Sequence, residues 1–564
     1  MTADSASSTD FDVIVVGAGA AGMTAACVAA AERQRVLLVE QASLVGGTTA
    51  ISGGMVWIPV NHKMAEAGQP DSAAAALDYL RATVPSDADP APLAAFVARG
   101  DEALRYLESR TALRLRPVMR YPDYYPDLPG ATLGGRVLEP MPFDGRVLGE
   151  QFAWLRPPLP EFLVFGGMMV HRSDMPHLRR ATRSPASAWR VARLLARHAL
   201  ERTRASRGTT LHLGNALAGW LLHSALELGV ELRRDTAVSS LLVEGGRVVG
   251  IDAVCRGASR RLTARRGVVL ACGGMSRDAS LRQRYLPPLA GPLSAAVCDG
   301  PARSGARLAQ TVGAQLSRGS SRQALWVPGS ALTRPDGTSG VFPHTVTDRG
   351  KPGLIAVDHH GRRFVNEALS YHEFVLGQLR AGTSAIPAFL ICDRRFLWRY
   401  GLGAVRPFTL SPAPYVARGY LKCADTLAGL AEVLGVPSGE FAQTVAAFNA
   451  GAARGVDTLF GRGGDAYQRH LGDADHQPNP CVAPIDRPPF YAVAVAPADL
   501  GVAAGLVTDA DARVLDETGR PIAGLYACGN DMQSVMNGAY PGPGITLGPA
   551  LVFGYLAARH AARS

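Results

Sequence analysis

The hydrophobic pattern near the start of the chain predicts a strand, a helix and a second strand in succession. Residues 11–16 form a short apolar run rich in β-branched side chains, which is typical of a buried parallel strand. Alanine-rich residues 23–31 favour a helix, and residues 35–39 form a second apolar run that ends at Glu40. This order of elements predicts the first unit of an α/β sheet.

The pattern over the remaining residues predicts further helices and strands, and a separate group of strand-like segments in the middle of the chain. Helices are expected at residues 71–107, 214–228 and 544–558, strands at 238–249 and 266–270, and a loop at 121–145. Because 564 residues exceed one simple core, we expect two domains. The predicted fold class is α/β, with a Rossmann-like domain (1–322 and 498–564) that carries an inserted α+β substrate domain (323–497).

Glycines join the first strand to the first helix in the order Gly17-Ala18-Gly19-Ala20-Ala21-Gly22. Gly17 permits a tight turn, Gly19 lets the backbone approach a pyrophosphate, and Gly22 lets the helix pack on the strand. The helix N-terminus supplies free N–H groups for the phosphates, and Glu40 is placed to bind a ribose. The alternative is a glycine-rich turn without a ligand, but the full order of strand, glycines, helix, strand and acid favours a dinucleotide site.

A second glycine-rich run, residues 45–54, indicates which dinucleotide is bound. It offers many N–H and O–H donors and little bulk, which suits a second phosphate and the edge of a flavin. Glycine turns after two later strands add further places where the backbone can approach FAD. The predicted cofactor contacts are Gly17, Gly19, Ala20, Gly22, Glu40, Gln41, Gly47, Thr48, Thr49, Ser52, Gly53, Gly54, Val238, Ala271, Gly273, Gly529, Asn530, Thr546 and Leu547.

These runs resemble the FAD-dependent family of fumarate reductase and succinate dehydrogenase flavoproteins and 3-ketosteroid dehydrogenases. Members of that family with covalent flavin carry a histidine in the second run. The matching position here is Gly47. The resemblance therefore implies FAD that is bound non-covalently.

The run Tyr540-Pro541-Gly542-Pro543-Gly544 precedes the last predicted helix. By itself it is either a helix cap with an incidental tyrosine or a site whose N–H groups face a flavin or a carbonyl. It resembles the 3-ketosteroid Δ1-dehydrogenases, in which the tyrosine hydroxyl and the last glycine's N–H bind the C3 carbonyl of the substrate. The resemblance gives these roles to Tyr540 and Gly544.

Two further segments resemble the same family. Asp123-Tyr124-Tyr125 matches a motif whose first tyrosine, Tyr124, supports the base, and residues 364–371 match a motif that ends in the base, Tyr371. The implied reaction is 1,2-desaturation of a 3-ketosteroid. Tyr371 takes a proton from C2, a hydride passes from C1 to flavin N5, and an unidentified acceptor takes the electrons.

Three alternatives to this reaction remain open. One is a related enzyme on another apolar ketone, such as a 3-ketosteroid Δ4-(5α)-dehydrogenase. Another is a fumarate-reductase-like enzyme, although residues 529–558 hold no Arg, Lys or His with which to bind a dicarboxylate. The third is a non-catalytic flavin-bound scaffold.

The net charge of +10 is concentrated in one segment. Residues 171–207 hold ten arginines against Asp174 and Glu201, so a general nucleic-acid surface is not expected. They belong to an insertion, residues 151–207, that begins with an apolar, aromatic stretch. This insertion is expected to contact an anionic membrane surface, or to be a lid over the active site or a subunit interface.

The eight cysteines show no C-x-x-C pair and no short metal spacing, so no metal site is expected and a reducing cytoplasm fits best. Residues 1–10 lack the features of a signal peptide, and no apolar run is long enough to span a bilayer. We expect a cytoplasmic protein, with or without peripheral contact with the inner face of the membrane.

Overall fold

The computed structural model describes residues 10–297, 304–320 and 322–564. The expectation of no signal peptide concerns residues that, Asp10 apart, lie outside the described part of the chain, as does Cys298. The described helices are α1 (Ala20–Ala31), α2 (His62–Glu66), α3 (Ala73–Thr83), α4 (Pro90–Arg110), α5 (Met175–Arg180), α6 (Pro185–Arg202), α7 (Leu213–Glu227), α8 (Ala279–Tyr285), α9 (Gly305–Gln310), α10 (Tyr371–Ala381), α11 (Arg394–Tyr400), α12 (Ala413–Ala417), α13 (Leu427–Leu434), α14 (Ser438–Ala452), α15 (Ala466–Leu471) and α16 (Leu547–Arg563).

The described strands form two large sheets and two small ones. They are β1 (Asp10–Val16), β2 (Val36–Val39), β3 (Val56–Trp57), β4 (Leu115–Pro117), β5 (Val137–Pro140), β6 (Phe143–Asp144), β7 (Thr210–Leu211), β8 (Glu231–Arg233), β9 (Thr236–Glu244), β10 (Arg247–Cys255), β11 (Ala258–Leu270), β12 (Ala324–Thr333), β13 (Ser339–Pro343), β14 (Leu354–Val357), β15 (Ala388–Asp393), β16 (Lys422–Ala424), β17 (Phe490–Val502), β18 (Arg513–Leu515) and β19 (Pro521–Ala527).

The first large sheet has the order β18-β19-β11-β1-β2-β8, with β10 and β9 added through β11. Strands β19, β11, β1, β2 and β8 run parallel. Val13, Ile14 and Val15 of the central strand β1 are fully buried, as the uninterrupted apolar run predicts for a parallel strand that is covered on both faces. Helix α1 packs against α7 and α16. The predicted α/β fold is confirmed.

The second large sheet is antiparallel, with the order β13-β12-β17-β15-β14 and with β16 paired to β17. Separate apolar clusters cover its two faces. Strand β17 crosses the predicted domain boundary at 497/498 and stays paired with β12 as far as Val502. The domain limits themselves stay a prediction.

Three sequence predictions of elements need correction. The single strand expected at 238–249 is two antiparallel strands, β9 and β10, which reverse at Gly245 and Gly246. The C-terminal helix begins at Leu547, because Gly544 has φ of +100° and lies in a turn. The loop expected at 121–145 contains the short strands β5 and β6.

Candidate active site

A cavity of about 850 Å³ is lined by loops that follow strands of both large sheets. Every predicted catalytic and cofactor-contacting residue lines this cavity except Gly22. Gly22 lies beneath it, where an added Cβ would lie 1.8 Å from the carbonyl oxygen of Gly17. Its role is therefore the close packing of α1 on β1.

The first glycine loop has the geometry that a pyrophosphate needs. Gly17 has φ of +104°, and an added Cβ would lie 2.2 Å from the carbonyl oxygen of Ala271. At Gly19, by contrast, an added Cβ would meet nothing nearer than the Thr49 hydroxyl at 4.0 Å, so the space in front of it is open. Gly19 caps α1 without a side-chain hydrogen bond. The N–H of Ala20 donates to the Thr49 hydroxyl at 3.1 Å, and the next N–H groups of the helix are the ones left available to an anion.

The other predicted cofactor contacts surround this loop. The Glu40 carboxylate accepts hydrogen bonds from the N–H groups of Ala18 (2.9 Å) and Ala42 (3.0 Å), which fix it at the end of β2. An added Cβ at Gly47 would come no nearer than 3.9 Å to Gly19, and one at Gly53 would meet nothing within 4 Å. The residues present therefore fit a dinucleotide that lies along the two glycine runs.

A buried carboxylate, Asp531, holds the third glycine turn in place. It accepts hydrogen bonds from the N–H groups of Cys272 and Gly274, the latter at 3.1 Å. This contact joins the turn after β11 to the turn after β19, which contains Gly529 and Asn530. These contacts join residues 257 and 259 positions apart in sequence, and the two turns thus form one wall of the cavity.

Three tyrosines predicted from distant segments meet beside this wall. The ring centroids of Tyr371 and Tyr540 are 5.0 Å apart, and those of Tyr124 lie 5.6 Å from each of them. All three side chains are buried and line the cavity. The segments around residues 124, 371 and 540 are therefore brought together at one site.

The turn that carries Tyr540 and Gly544 is held from several sides. Tyr124 donates its N–H to the carbonyl of Pro541 at 2.9 Å, and Trp57 donates its N–H to the carbonyl of Gly544 at 3.2 Å. An added Cβ at Gly544 would lie 2.4 Å from the carbonyl oxygen of Met55, so only glycine fits. The N–H of Gly544 donates to no other described residue, and it remains available to a ligand oxygen.

Burial dominates the acidity of the tyrosines. It raises the pKa of Tyr540 to about 12, and it raises the pKa of Tyr371 well above its ordinary value, with a further rise from Tyr540. A hydrogen-bonding interaction with Tyr124 acts in the opposite direction and lowers the pKa of Tyr371. The Tyr124 hydroxyl has no partner of regular geometry among the described side chains.

Four residues beside the cluster escaped the sequence analysis. The ring of Tyr467 lies 4.6 Å from Tyr124, and that of His372 lies 5.7 Å from Tyr540. Tyr121 lines the cavity, and its ring centroid lies 4.4 Å from that of His470, with the two planes tilted. No local motif marks Tyr467 or His470, since short helix α15 brings them to the site only through the tertiary fold.

The insertion, residues 151–207, divides into two parts. Its first part lines the cavity through residues such as Leu159, Phe162 and Met169, and Glu161 bonds to Arg334 at 2.7 Å. Its second part is α6, which buries one face only and leaves Trp189 73% and Leu200 63% exposed. The apolar stretch is therefore divided: Leu159, Phe162 and Met169 form cavity wall, Leu155 and Met168 are buried elsewhere, and Phe165 is exposed.

The comparisons with known proteins agree with this site. Residues 12–547 match the family model described as "FAD binding domain". The chain is 38% identical to 4-oxocyclohex-2-ene-1-carboxylate 5-dehydrogenase of Sinomonas cyclohexanicum, over 98% of this chain and 94% of the relative. It is 37% identical to 3-oxosteroid 1-dehydrogenase of Mycobacterium tuberculosis, over 98% of each chain.

A solved structure is similar over almost the whole chain. It is 3-ketosteroid Δ1-dehydrogenase from Sterolibacterium denitrificans in complex with 1,4-androstadiene-3,17-dione, with 39% identity and a TM-score of 0.91 over 99% of this chain and 100% of that one. The chain belongs to the FAD-binding family that contains the 3-oxosteroid 1-dehydrogenases. It is an FAD-dependent dehydrogenase, and the predicted cofactor is confirmed.

None of the helices in the described part of the chain is both long enough and apolar enough to cross a membrane.

Proposed function

We propose that this dehydrogenase introduces a 1,2 double bond into a 3-ketosteroid. The observation that carries the proposal is the meeting of Tyr371, Tyr124 and Tyr540 with the free N–H of Gly544, in the cavity that the glycine runs also line. The 37% identity to a 3-oxosteroid 1-dehydrogenase supports it. Desaturation beside a carbonyl needs a carbonyl-binding pair, a base and a hydride acceptor, and each has a candidate here.

Tyr540 and Gly544 are the proposed carbonyl-binding pair. The raised pKa of Tyr540 keeps its hydroxyl protonated, so it donates to the ketone oxygen. The turn around Gly544 is fixed by its contacts with Met55 and Trp57, so its N–H needs no rearrangement to do the same. A preorganised donor of this kind is typically worth about 2.7–4 kcal/mol when charge develops on the oxygen.

Tyr371 is the proposed base, which takes a proton from C2, next to the carbonyl. Its ring lies edge-on to both Tyr540 and Tyr124, so its hydroxyl shares their end of the cavity. Because burial disfavours the tyrosinate, neighbouring groups must stabilise the charged form. Tyr124 is one such group, and its only proposed role is to support Tyr371.

We propose Arg349 as a second group that favours the tyrosinate, because its charge acts on the neighbouring Tyr124 and it bonds to the carbonyl of Leu369. It is fully buried and donates to the carbonyls of His344, Thr345, Glu367 and Leu369 at 2.9–3.2 Å, but it forms no ion pair with a described carboxylate. Its charge acts on Tyr124 and on Tyr467, while Asp348 offsets part of it. We assign Arg349 the role of a positioning residue. It holds the loop that precedes Tyr371 through the carbonyls of Glu367 and Leu369, and it supplies positive potential near the tyrosine cluster.

Bound FAD supplies the hydride acceptor for the hydrogen that leaves C1. The double bond then forms between C1 and C2, the proton stays on Tyr371, and the two electrons pass to an external acceptor whose identity stays open. The glycine runs orient the cofactor, and the tyrosines and the insertion exclude water from the ketone.

The relatives point to a second candidate substrate class. A similar enzyme acts, by its name, on an oxocyclohexene carboxylate, so the family's ketone chemistry is not restricted to steroids. In this chain the observation that favours a charged substrate is a group of basic side chains in the cavity wall. The 3-ketosteroid Δ4-(5α)-dehydrogenase alternative differs only in which carbons lose hydrogen.

Flavin reduction by candidate ketones tests the proposal. We expect 4-androstene-3,17-dione, mixed with the enzyme without oxygen, to bleach the flavin absorbance and to yield the 1,4-diene-3-one. Oxidation of the saturated 5α-androstane-3,17-dione to the 4-ene-3-one, with no reaction of 4-androstene-3,17-dione, would favour the Δ4-(5α) alternative. Flavin that stays oxidised with every steroid and cyclohexanone tested would exclude the enzyme class proposed here and favour a scaffold.

We also propose that α6 lies on an anionic membrane surface. Trp189 and Leu200 are exposed on the side opposite to the buried Ser187, Val191 and His198, and arginines flank this apolar side. An exposed apolar stripe beside arginines is typical of helices that lie in a membrane interface.

A further inference from the structure

Basic side chains line the cavity on the side of Tyr121. The ring centroids of Tyr121 and His470 are 4.4 Å apart with their planes tilted by 41°, and the charge of Arg172 acts on both rings. The charge of Lys351 lowers the pKa of His470, and the charge of Arg179 lowers the pKa of Lys351. Arg172, Arg179 and Lys351 all line the cavity that holds the tyrosine cluster. We call these three residues the basic wall.

The charges of the basic wall are not fully balanced by carboxylates. Lys351 Nζ donates to the carbonyl oxygens of Leu471 (2.5 Å) and Gly472 (2.8 Å), which are neutral partners. Arg179 forms no hydrogen bond or ion pair with any residue in the described ranges. The wall therefore holds two cations without a carboxylate in contact.

The nearest carboxylates already have other partners. Glu139, which bonds to Arg172 at 2.8 Å, also bonds to Arg116 at 2.8 Å and lies 3.3 Å from His171. Asp473 is 2.7 Å from both Arg399 and the Tyr400 hydroxyl. Asp348 lies 2.7 Å from His344 and also accepts the N–H of Gly403. Each of the three is bonded to another partner. Asp473 therefore attracts Lys351 and Arg179 only at a distance, and Asp348 attracts Lys351 in the same way.

The acidity of the neighbouring groups agrees with an excess of positive charge. Burial, and then Arg179, lowers the pKa of Lys351 to about 8. Burial, followed by Arg172 and Lys351, lowers the pKa of His470 to about 4, so His470 is neutral near pH 7. An anion at this place would relieve the repulsion among the three cations.

We propose that the basic wall binds a carboxylate of the substrate, so that the preferred substrate is a cyclic ketone with a carboxylate group remote from the ketone. This inference rests on the proposed function, because the ketone must lie at Tyr540 and Gly544 for the wall to face the rest of the molecule. Both a small ring acid and a steroid with an acidic side chain have this chemistry. The FAD pyrophosphate is a less suitable occupant, since the glycine loop and the N-terminus of α1 already form its cradle.

Matched acid and ester pairs test the carboxylate site. The two pairs are 4-oxocyclohexanecarboxylate with its methyl ester, and a 3-ketosteroid side-chain acid with its methyl ester. We expect the wild-type holoenzyme to reduce its flavin with at least one acid at a kcat/KM about tenfold or more above that of the ester, as a charge-assisted hydrogen bond predicts. The size of the preferred acid identifies the source of the carboxylate.

Variants of the wall separate this site from general packing. Lys351→Met and Arg179→Gln should reduce the acid-to-ester ratio of kcat/KM by about tenfold, mainly through KM. Lys422→Met, on strand β16 and outside the cavity, should leave the ratio unchanged. The preference for the acid should also weaken above about pH 8, as Lys351 loses its proton.

The outcomes distinguish the two proposals. Ketones that reduce the flavin with no preference for the acids, or wall variants that affect acid and ester equally, would overturn the carboxylate site and leave the proposed function intact. Flavin that no ketone reduces would overturn the proposed function, and this inference with it.

Discussion

At the scale of single residues, the proposed reaction divides its tasks among side chains of one type. Tyr540 must stay protonated to donate to the ketone, whereas Tyr371 must lose its proton to act as a base. Burial raises the pKa of both. The Tyr124 ring lies 5.6 Å from both of their rings, and a hydrogen-bonding interaction with Tyr124 lowers the pKa of Tyr371.

Substitution of the two tyrosines should have different kinetic effects. Tyr371→Phe removes the base alone, so we expect flavin reduction to slow by at least about 10²-fold while steroid binding stays close to wild type. Tyr540→Phe removes a contact present in both ground and transition states, so Kd and the reduction rate should both worsen. Rapid mixing without oxygen and steroid titration measure the two quantities. Tyr526→Phe is the control, because Tyr526 is buried in β19 away from the cavity. A wild-type rate of flavin reduction in the Tyr371→Phe variant would show that the base is another group.

Arg349 should set the pH dependence of the reaction. The rate rises with pH as the base loses its proton, so removing a positive charge should move this rise to higher pH. We expect Arg349→Met to raise the apparent pKa in the kcat/KM profile by about one unit, and Arg349→Lys to keep it near the wild-type value.

Arg462→Met is the matched control for Arg349. Arg462 is also fully buried and bonds to backbone carbonyls, but its charge is paired with Glu367 at 3.2 Å. Its loss should lower the melting temperature without moving the pH profile. Equal pH shifts in the Arg349→Met and Arg462→Met variants would instead indicate a general structural effect.

At the scale of elements, the insertion shows how one segment serves two purposes. Its first part is fixed by cavity contacts such as Glu161 with Arg334, and by the pairing of Val45 with Leu155. Deleting this part would open the cavity, so it cannot be used to test membrane contact. Helix α6 can be altered alone, since Trp189 and Leu200 are largely exposed and do not line the cavity.

Liposome sedimentation tests the proposed contact of α6. We expect the wild-type protein to sediment with anionic vesicles at low salt and less with neutral ones, because each basic group near such a surface contributes about 1 kcal/mol and salt screens it. Trp189→Ala with Leu200→Ala, or Arg193→Gln with Arg197→Gln, should reduce sedimentation while FAD stays bound. Trp398→Ala, an exposed tryptophan of α11, is the control. Equal sedimentation of all variants with both vesicle types would remove the membrane proposal.

At the scale of the whole molecule, the FAD site exists only while the chain is folded. Residues 17–54, 271–273 and 529–547 belong to its two ends and its middle, and only the β19-β11-β1 pairing brings them together.

Unfolding should free the cofactor, because Gly47 occupies the position at which relatives with covalently bound flavin carry a histidine. We expect acid precipitation to leave yellow FAD in the supernatant, and flavin retained in the pellet would show a covalent bond elsewhere.

Acid should lower the stability of the fold over a wide pH range. Burial depresses the pKa of His212 to about 4 and that of His372 to about 3, while unfolded histidine titrates near ~6.5. Below about pH 6.5 the unfolded state therefore binds protons that the folded state does not, and the free energy of unfolding falls.

Carboxylates extend this loss to lower pH. The pKa of Glu139 and that of Asp348 are both lowered to about 2, so their stabilisation is present above about pH 4 and is lost as the pH falls toward 2.

Urea titrations of the holoenzyme test the effect of His212 and His372. At pH 7, 5.5 and 4.5 they should show a steady fall in the midpoint. A midpoint that stays constant from pH 7 to 4.5 would contradict the neutral, buried state of these histidines.

Sequence motifs alone predicted the cofactor, which is confirmed, and the family resemblance supplied the chemistry proposed at the ketone. Short motifs are enough there, because a phosphate cradle needs glycines and a helix N-terminus in local order, and each of the three tyrosines lies in a recognisable local context. The same local reading took β9 and β10 as one strand, because both strands of the hairpin are apolar.

Which side chains line the cavity beyond these motifs follows from the tertiary structure alone. Residues 529–558 carry no basic group, which favoured an apolar ketone, yet Arg172, Arg179 and Lys351 reach the same cavity from other segments. Tyr467 and Arg349 likewise reach the tyrosines only through α15 and a loop of the second sheet. Cavity walls are assembled from residues far apart in sequence, so their charge does not appear in any local motif.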